Sequence, residues 1–147
     1  PAARLATISA LAKAGVPVGA LISPVIPGLN DHEMVSLVQA AVSAGARFAS
    51  HVVLRLPHAV APLFEQWLDH HFPNRKEKVL NRLRAVRGGK LYEAEFGRRM
   101  RGEGIFAEQM HHMFEVACRK AGIAGNEVKL STAAFRRPGG NQLQLLG

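Results

Sequence analysis

Between residues 21 and 33 the chain reads Leu-Ile-Ser-Pro-Val-Ile-Pro-Gly-Leu-Asn-Asp-His-Glu. An apolar strand passes through Pro24-Val25-Ile26-Pro27-Gly28 and straight into a helix. A strand that ends in a rigid, glycine-bearing turn at a helix N-terminus is where α/β proteins hold ligands, beyond the carboxyl ends of their sheets. Gly28 has no Cβ, so backbone there can lie against a flat ligand, while Pro24 and Pro27 stiffen the approach. Asn30 is the expected N-cap, and Glu33 completes a capping box ahead of Val35, Leu37 and Val38.

Arg55 is the second group with chemical promise. It stands in the apolar run Val52-Val53-Leu54-Arg55-Leu56, and a charge buried unpaired there is too costly. It must therefore point at a carboxylate, a ligand or the mouth of a barrel. Other spacings carry less. Glu108-Gln109-Met110-His111 has the Glu-x-x-His interval of di-iron bundles, but such sites need a second copy and two more carboxylates. A solvated helix face explains it better. His70-His71 and His111-His112 are adjacent on helices and so diverge by about 100°. His51 and His58 flank a strand, His58 just past its carboxyl end. Gly88-Gly89-Lys90 lacks the upstream glycine of a phosphate-binding loop. Cys118 is the single cysteine; it can form no internal disulfide and reads as a small buried hydrophobe in a reducing, cytosolic setting.

The elements that must position these groups alternate clearly. A helix over 2–14, with Leu5, Ile8 and Leu11 as its stripe, ends at Gly15. A strand over 18–23, apolar on both faces, leads to the turn and a helix over 31–44. A second strand spans 50–56, and a helix over 59–71 carries Val60, Leu63, Phe64, Trp67 and Leu68. Helix, strand, helix, strand, helix with short links predicts βαβ packing with right-handed crossover. Two strands are too few for a covered parallel sheet, so one edge is expected to lack a partner. A chain opening inside an amphipathic helix is expected to be part of a longer one.

Charge divides the chain at the same point. Residues 1–73 carry four basic and four acidic side chains; residues 74–147 carry fifteen and seven, so the second half holds the whole net charge of +8. This half reads as helical: 75–86 with Val79, Leu80, Leu83 and Val86, and 105–121 with Phe106, Met110, Met113, Phe114 and Ala117. Arg98, Arg99, Arg101 and the 82–90 cluster suit phosphates, although Glu93, Glu95, Glu103 and Glu108 lie among them and favour internal pairing. No apolar run is long enough for a membrane span.

The turn resembles a motif of radical S-adenosylmethionine (radical SAM) enzymes, whose fifth strand ends in Gly-x-Ile-x-Gly-x-x-Glu. Pro24, Ile26, Gly28 and Asp31 stand at its four places, Pro24 and Asp31 being mild departures. Val52 to Pro57 looks like the sixth strand. Arg87-Gly88-Gly89-Lys90-Leu91-Tyr92, Phe96-Gly97, Met100-Arg101-Gly102-Glu103-Gly104, Phe135-Arg136-Arg137-Pro138 and Gln142-Leu143 resemble the C-terminal extension of an uncharacterised bacterial subgroup grouped with spore photoproduct lyase. The likeness spans nearly the whole chain.

The resemblance implies an α/β chain: the last two βα units of a partial (β/α)6 TIM-like barrel over 1–72, then a basic helical extension over 73–147. It implies that Ile26 lies against the adenine of S-adenosylmethionine, that Gly28 keeps the loop close, and that the strand at Leu54 and Arg55 borders the same cofactor. The family's [4Fe–4S] cluster needs three cysteines in Cys-x3-Cys-x2-Cys, and its Gly-Gly-Glu segment grips the methionine amine; this chain has neither. The expected partner is therefore the N-terminal half of the barrel, with the radical chemistry directed at an unknown substrate, nucleic acid being one candidate. Alone, the chain is expected to be inert. The alternative is a freestanding basic helical module that binds nucleic acid or a partner without catalysis.

Overall fold

The computed structural model describes residues 2–95, 98–124, 131–133 and 135–136, with the side chain of Arg98 excepted. Phe96-Gly97, Arg137-Pro138, Gly139-Gly140 and the apolar end around Leu143 lie outside the described residues.

Helix α1 (Ala2–Lys13) leads to strand β1 (Gly19–Val25). A 3-10 turn (Asp31–Glu33) precedes α2 (Met34–Ser43), and β2 (Phe48–Val53) follows. Then come α3 (Val60–His71), a second 3-10 turn (Pro73–Arg75), α4 (Lys76–Ala85), the short α5 (Arg98–Arg101) and α6 (Ile105–Lys120). The two strands pair in parallel, with Gly19 opposite Phe48, Leu21 opposite Ser50 and Ile22 opposite His51, and the register slips between Ile22 and Val25. Gly19 is required by that pairing, because a Cβ would overlap the Phe48 ring.

The sheet is covered on one side. Val25, Val53, Met34 and Val38 pack with Ala107, Met110, Phe114 and Ala117 of α6, and Ile22 and Ala49 lean on the same cluster. Successive strand residues face opposite ways. Leu21 accordingly points away from this core and is 64 % exposed, and Ser23 and Ser50 are exposed with it. The expected strand, apolar and buried on both faces, is thus buried on one. Beside β1 a cleft of about 490 Å³ opens between Leu5 and Ile8 of α1 and Leu37 and Ala41 of α2.

A second cluster joins Ile26, Leu29 and Leu56 to Leu68 of α3 and to Val79, Leu80 and Leu83 of α4. Both clusters draw on both halves of the sequence, so residue 72 separates a neutral from a basic segment rather than one core from another. The α4 stripe is fully buried, as its 3.6-residue period predicts. The α3 stripe is not: only Leu68 is buried, and Val60, Leu63 and Trp67 stay exposed. The fold is mixed α/β with two parallel strands; a barrel is not formed by the described residues.

Candidate functional site

The carboxyl ends of β1 and β2 bring together the turn at 24–31, the segment 54–58 and the α4–α5 connection. Asn30 does not cap α2. Its Oδ1 accepts the N–H of Ile26 at 2.7 Å, and its Nδ2 donates to the Pro24 carbonyl at 3.1 Å. Asp31 Oδ2 accepts the Gly28 N–H at 2.9 Å and meets Arg82 Nη1 at 3.4 Å. The capping-box expectation of Asn30 with Glu33 fails because the Asn30 side chain folds back over the turn, and the 3-10 turn starts the helix without a side-chain cap. Gly28 has φ 85°, a conformation glycine adopts without the Cβ penalty. A Cβ there would also lie 3.1 Å from the Arg82 side chain.

Ile26 is 9 % exposed and belongs to the second cluster. Its side chain is packed against α3 and α4 residues, not presented to an open cleft. Leu54 donates its N–H to Val25 O at 2.8 Å, and its carbonyl accepts from Arg87 Nη2 at 2.9 Å. The N–H and carbonyl of Leu54, on the segment expected to border the cofactor, therefore already have protein partners. Leu54 and Arg55 lie just past β2, which ends at Val53.

Arg87 closes the rim from the α4 side. It lies in the 82–90 cluster, for which the sequence favours internal pairing over phosphate contact, and it is 2 % exposed. Nη2 donates to the carbonyls of Val53 at 3.1 Å and Leu54 at 2.9 Å, and Nη1 donates to Arg99 O at 2.8 Å. Burial first, and then the neighbouring Arg55 guanidinium, holds Arg87 below the usual arginine range, with Glu93 opposing. The one signal in the sequence was its place directly after Val86, at the end of a buried stripe.

Arg55 shares this rim. Its Nε is buried without a hydrogen-bond partner, and Nη1 meets only the Met100 thioether at 3.8 Å, at the surface. His58, in the following turn, has the unusual φ of 42°, and its ring lies 5.6 Å from that of Tyr92.

The remaining candidates resolve into packing. His51 lies within β2 on the covered face, 4.5 Å from the Phe114 ring and 5.9 Å from His111. Burial, then His111 and Arg101, lowers its pKa from the usual imidazole value. His111 pairs with Glu115 at 3.2 Å on the exposed side of α6, and no metal-binding group of three His, Cys, Asp or Glu occurs among the described residues. Cys118 is buried in α6, and burial, with Glu115 adding to it, raises its thiol pKa. No described helix is long and apolar enough to cross a membrane. No protein-family model, curated protein or solved structure matches this chain.

Proposed function

We propose that this chain is the C-terminal portion of a radical SAM enzyme and forms part of the wall and rim of its barrel. The observation that carries the reading is the one-sided sheet: helices cover the Ile22, Ala49 and His51 face, while Leu21, Ser23 and Ser50 face outward uncovered. Such a sheet is what the wall of an unclosed parallel barrel requires, with the bare face toward the lumen and β1 awaiting a neighbour. The ordered motifs from Pro24 to Arg136 add the family resemblance.

The residues present do not fit the cluster. One buried thiol with a raised pKa cannot replace three thiolates, so those ligands belong to the expected N-terminal half. Held by that half, the cluster and S-adenosylmethionine would supply radical chemistry for hydrogen abstraction, with no side chain of this chain as a cluster ligand. For the adenine the fit is indirect. With Ile26 in the core, Ile26 and Gly28 set the shape of the turn, and its outer backbone is the surface a base would meet. Asn30 and Asp31 keep that surface stiff through four hydrogen bonds or ion contacts.

The nucleic-acid alternative gains little from the basic half. Arg87 is buried, Arg82 pairs with Asp31, and Arg84 donates to Asn81. The test is anaerobic reconstitution, at the full length of the reading frame, with iron, sulfide, a reductant and S-adenosylmethionine. Release of 5′-deoxyadenosine is expected. A reading frame without three upstream cysteines at Cys-x3-Cys-x2-Cys spacing overturns the proposal.

A further inference from the structure

We propose that Arg55 receives an oxyanion, a carboxylate or a phosphate, at the carboxyl rim of β2, in the place now held by the Met100 thioether. The inference deepens the proposed function by naming the ligand chemistry at the same rim, and it rests on that reading only for a ligand being present there.

Three observations meet at this residue. First, the guanidinium is under-satisfied: Nε is buried with no acceptor, and the one contact of Nη1 is a thioether sulfur at 3.8 Å. Sulfur of this kind is a weak acceptor, whereas a guanidinium fork matches two oxygens of a carboxylate or phosphate. Second, no salt bridge reaches Arg55 among the described residues. Arg87 is near enough for the Arg55 charge to depress its pKa, with Glu93 acting the other way. Arg87 is held by three carbonyl oxygens and cannot turn away. With Glu93 countering Arg87, the charge an anion would meet at this strand end is that of Arg55 itself. Third, the Arg55–Met100 contact is exposed, so a solute can displace the sulfur without opening the core. The position, past the carboxyl end of a parallel strand, is where α/β sheets receive ligands.

The test uses the protein at the full length of its reading frame, labelled with 15N-arginine and titrated separately with acetate and with inorganic phosphate. Chloride at matched ionic strength is the control. The Arg55 side-chain resonance should move saturably with one or both anions, and the arm that saturates at lower concentration identifies the source. Arg55→Gln should weaken that binding about tenfold or more, and Met100→Ala should preserve or tighten it. Because the wild-type titration needs no variant, a misfolded Arg55→Gln protein leaves the question decidable. Shifts at Arg55 no larger than at Arg84, or equal shifts with chloride, overturn the inference. The assay involves neither cluster nor S-adenosylmethionine, so it can fail while 5′-deoxyadenosine still forms, or succeed when none does.

Discussion

Arg87 lies across the end of β2 and donates to the carbonyl of Leu54, a residue 33 positions earlier, at 2.9 Å. The same guanidinium binds Val53 O and Arg99 O. It thereby ties the strand end, the end of α4 and the α5 segment together. Removing it leaves three carbonyls without their donor, the Val53 carbonyl in a buried bond and the other two part-buried, so Arg87→Ala should cost about 3 kcal/mol. Arg87→Lys has one ammonium for three spread acceptors and should recover only part of that. Urea denaturation of the three proteins checks both expectations.

The turn should prove sensitive to the side chains that fold over it. Asn30→Ala removes the acceptor of the Ile26 N–H and the donor to Pro24 O, and is expected to cost ~1–2 kcal/mol. Asn30→Ser, an adequate helix cap, should not rescue it, because the role is in the turn and not at α2. Equal stability of Asn30→Ser and wild type by thermal melting would contradict this.

Gly28→Ala should destabilise by about 1–2 kcal/mol through its positive φ. Since the Arg82 side chain also crowds that position at 3.1 Å, the double variant with Arg82→Ala separates the causes. Backbone strain persists in the double variant; crowding alone would vanish. Chemical denaturation of the cycle reads the difference.

Acid should loosen the packing of β2 against α6 through His51. Its folded-state pKa lies below the usual value near 6.5, chiefly from burial. The unfolded chain therefore takes up the proton first, and stability rises with pH across the interval between the two pKa values. Its contribution is intact above about 6.5 and declines as pH falls toward the folded-state value. His51→Phe, which keeps an aromatic ring against Phe114, should flatten the stability profile below about pH 6.5 relative to wild type. Parallel profiles would remove His51 from the effect.

The bare face of the sheet should make the chain associate when it is produced by itself. Leu21, at 64 % exposure, and the unpaired edge of β1 offer an apolar surface and a backbone template. Sedimentation velocity should find oligomers that bind hydrophobic dye, and Leu21→Lys should shift them toward monomer. A dye-silent wild-type monomer would count against the unclosed-barrel reading.

Local pattern settled much of this protein. The period of Val79, Leu80, Leu83 and Val86 set α4 and its buried face; the apolar runs set two parallel strands; Gly28 marked the turn between β1 and α2. These follow from sequence because backbone sterics and helical or extended spacing act between near neighbours. Tertiary structure alone decided that Arg87 is buried, that Asn30 and Asp31 serve the turn instead of the helix, that Ile26 joins the α3–α4 cluster, and that one face of β1 stays uncovered. Each depends on a group brought in from tens of residues away, such as Arg82 on Asp31 or Arg87 on Val53. A polar side chain takes whichever partner the packing leaves within reach, and linear order does not specify that partner.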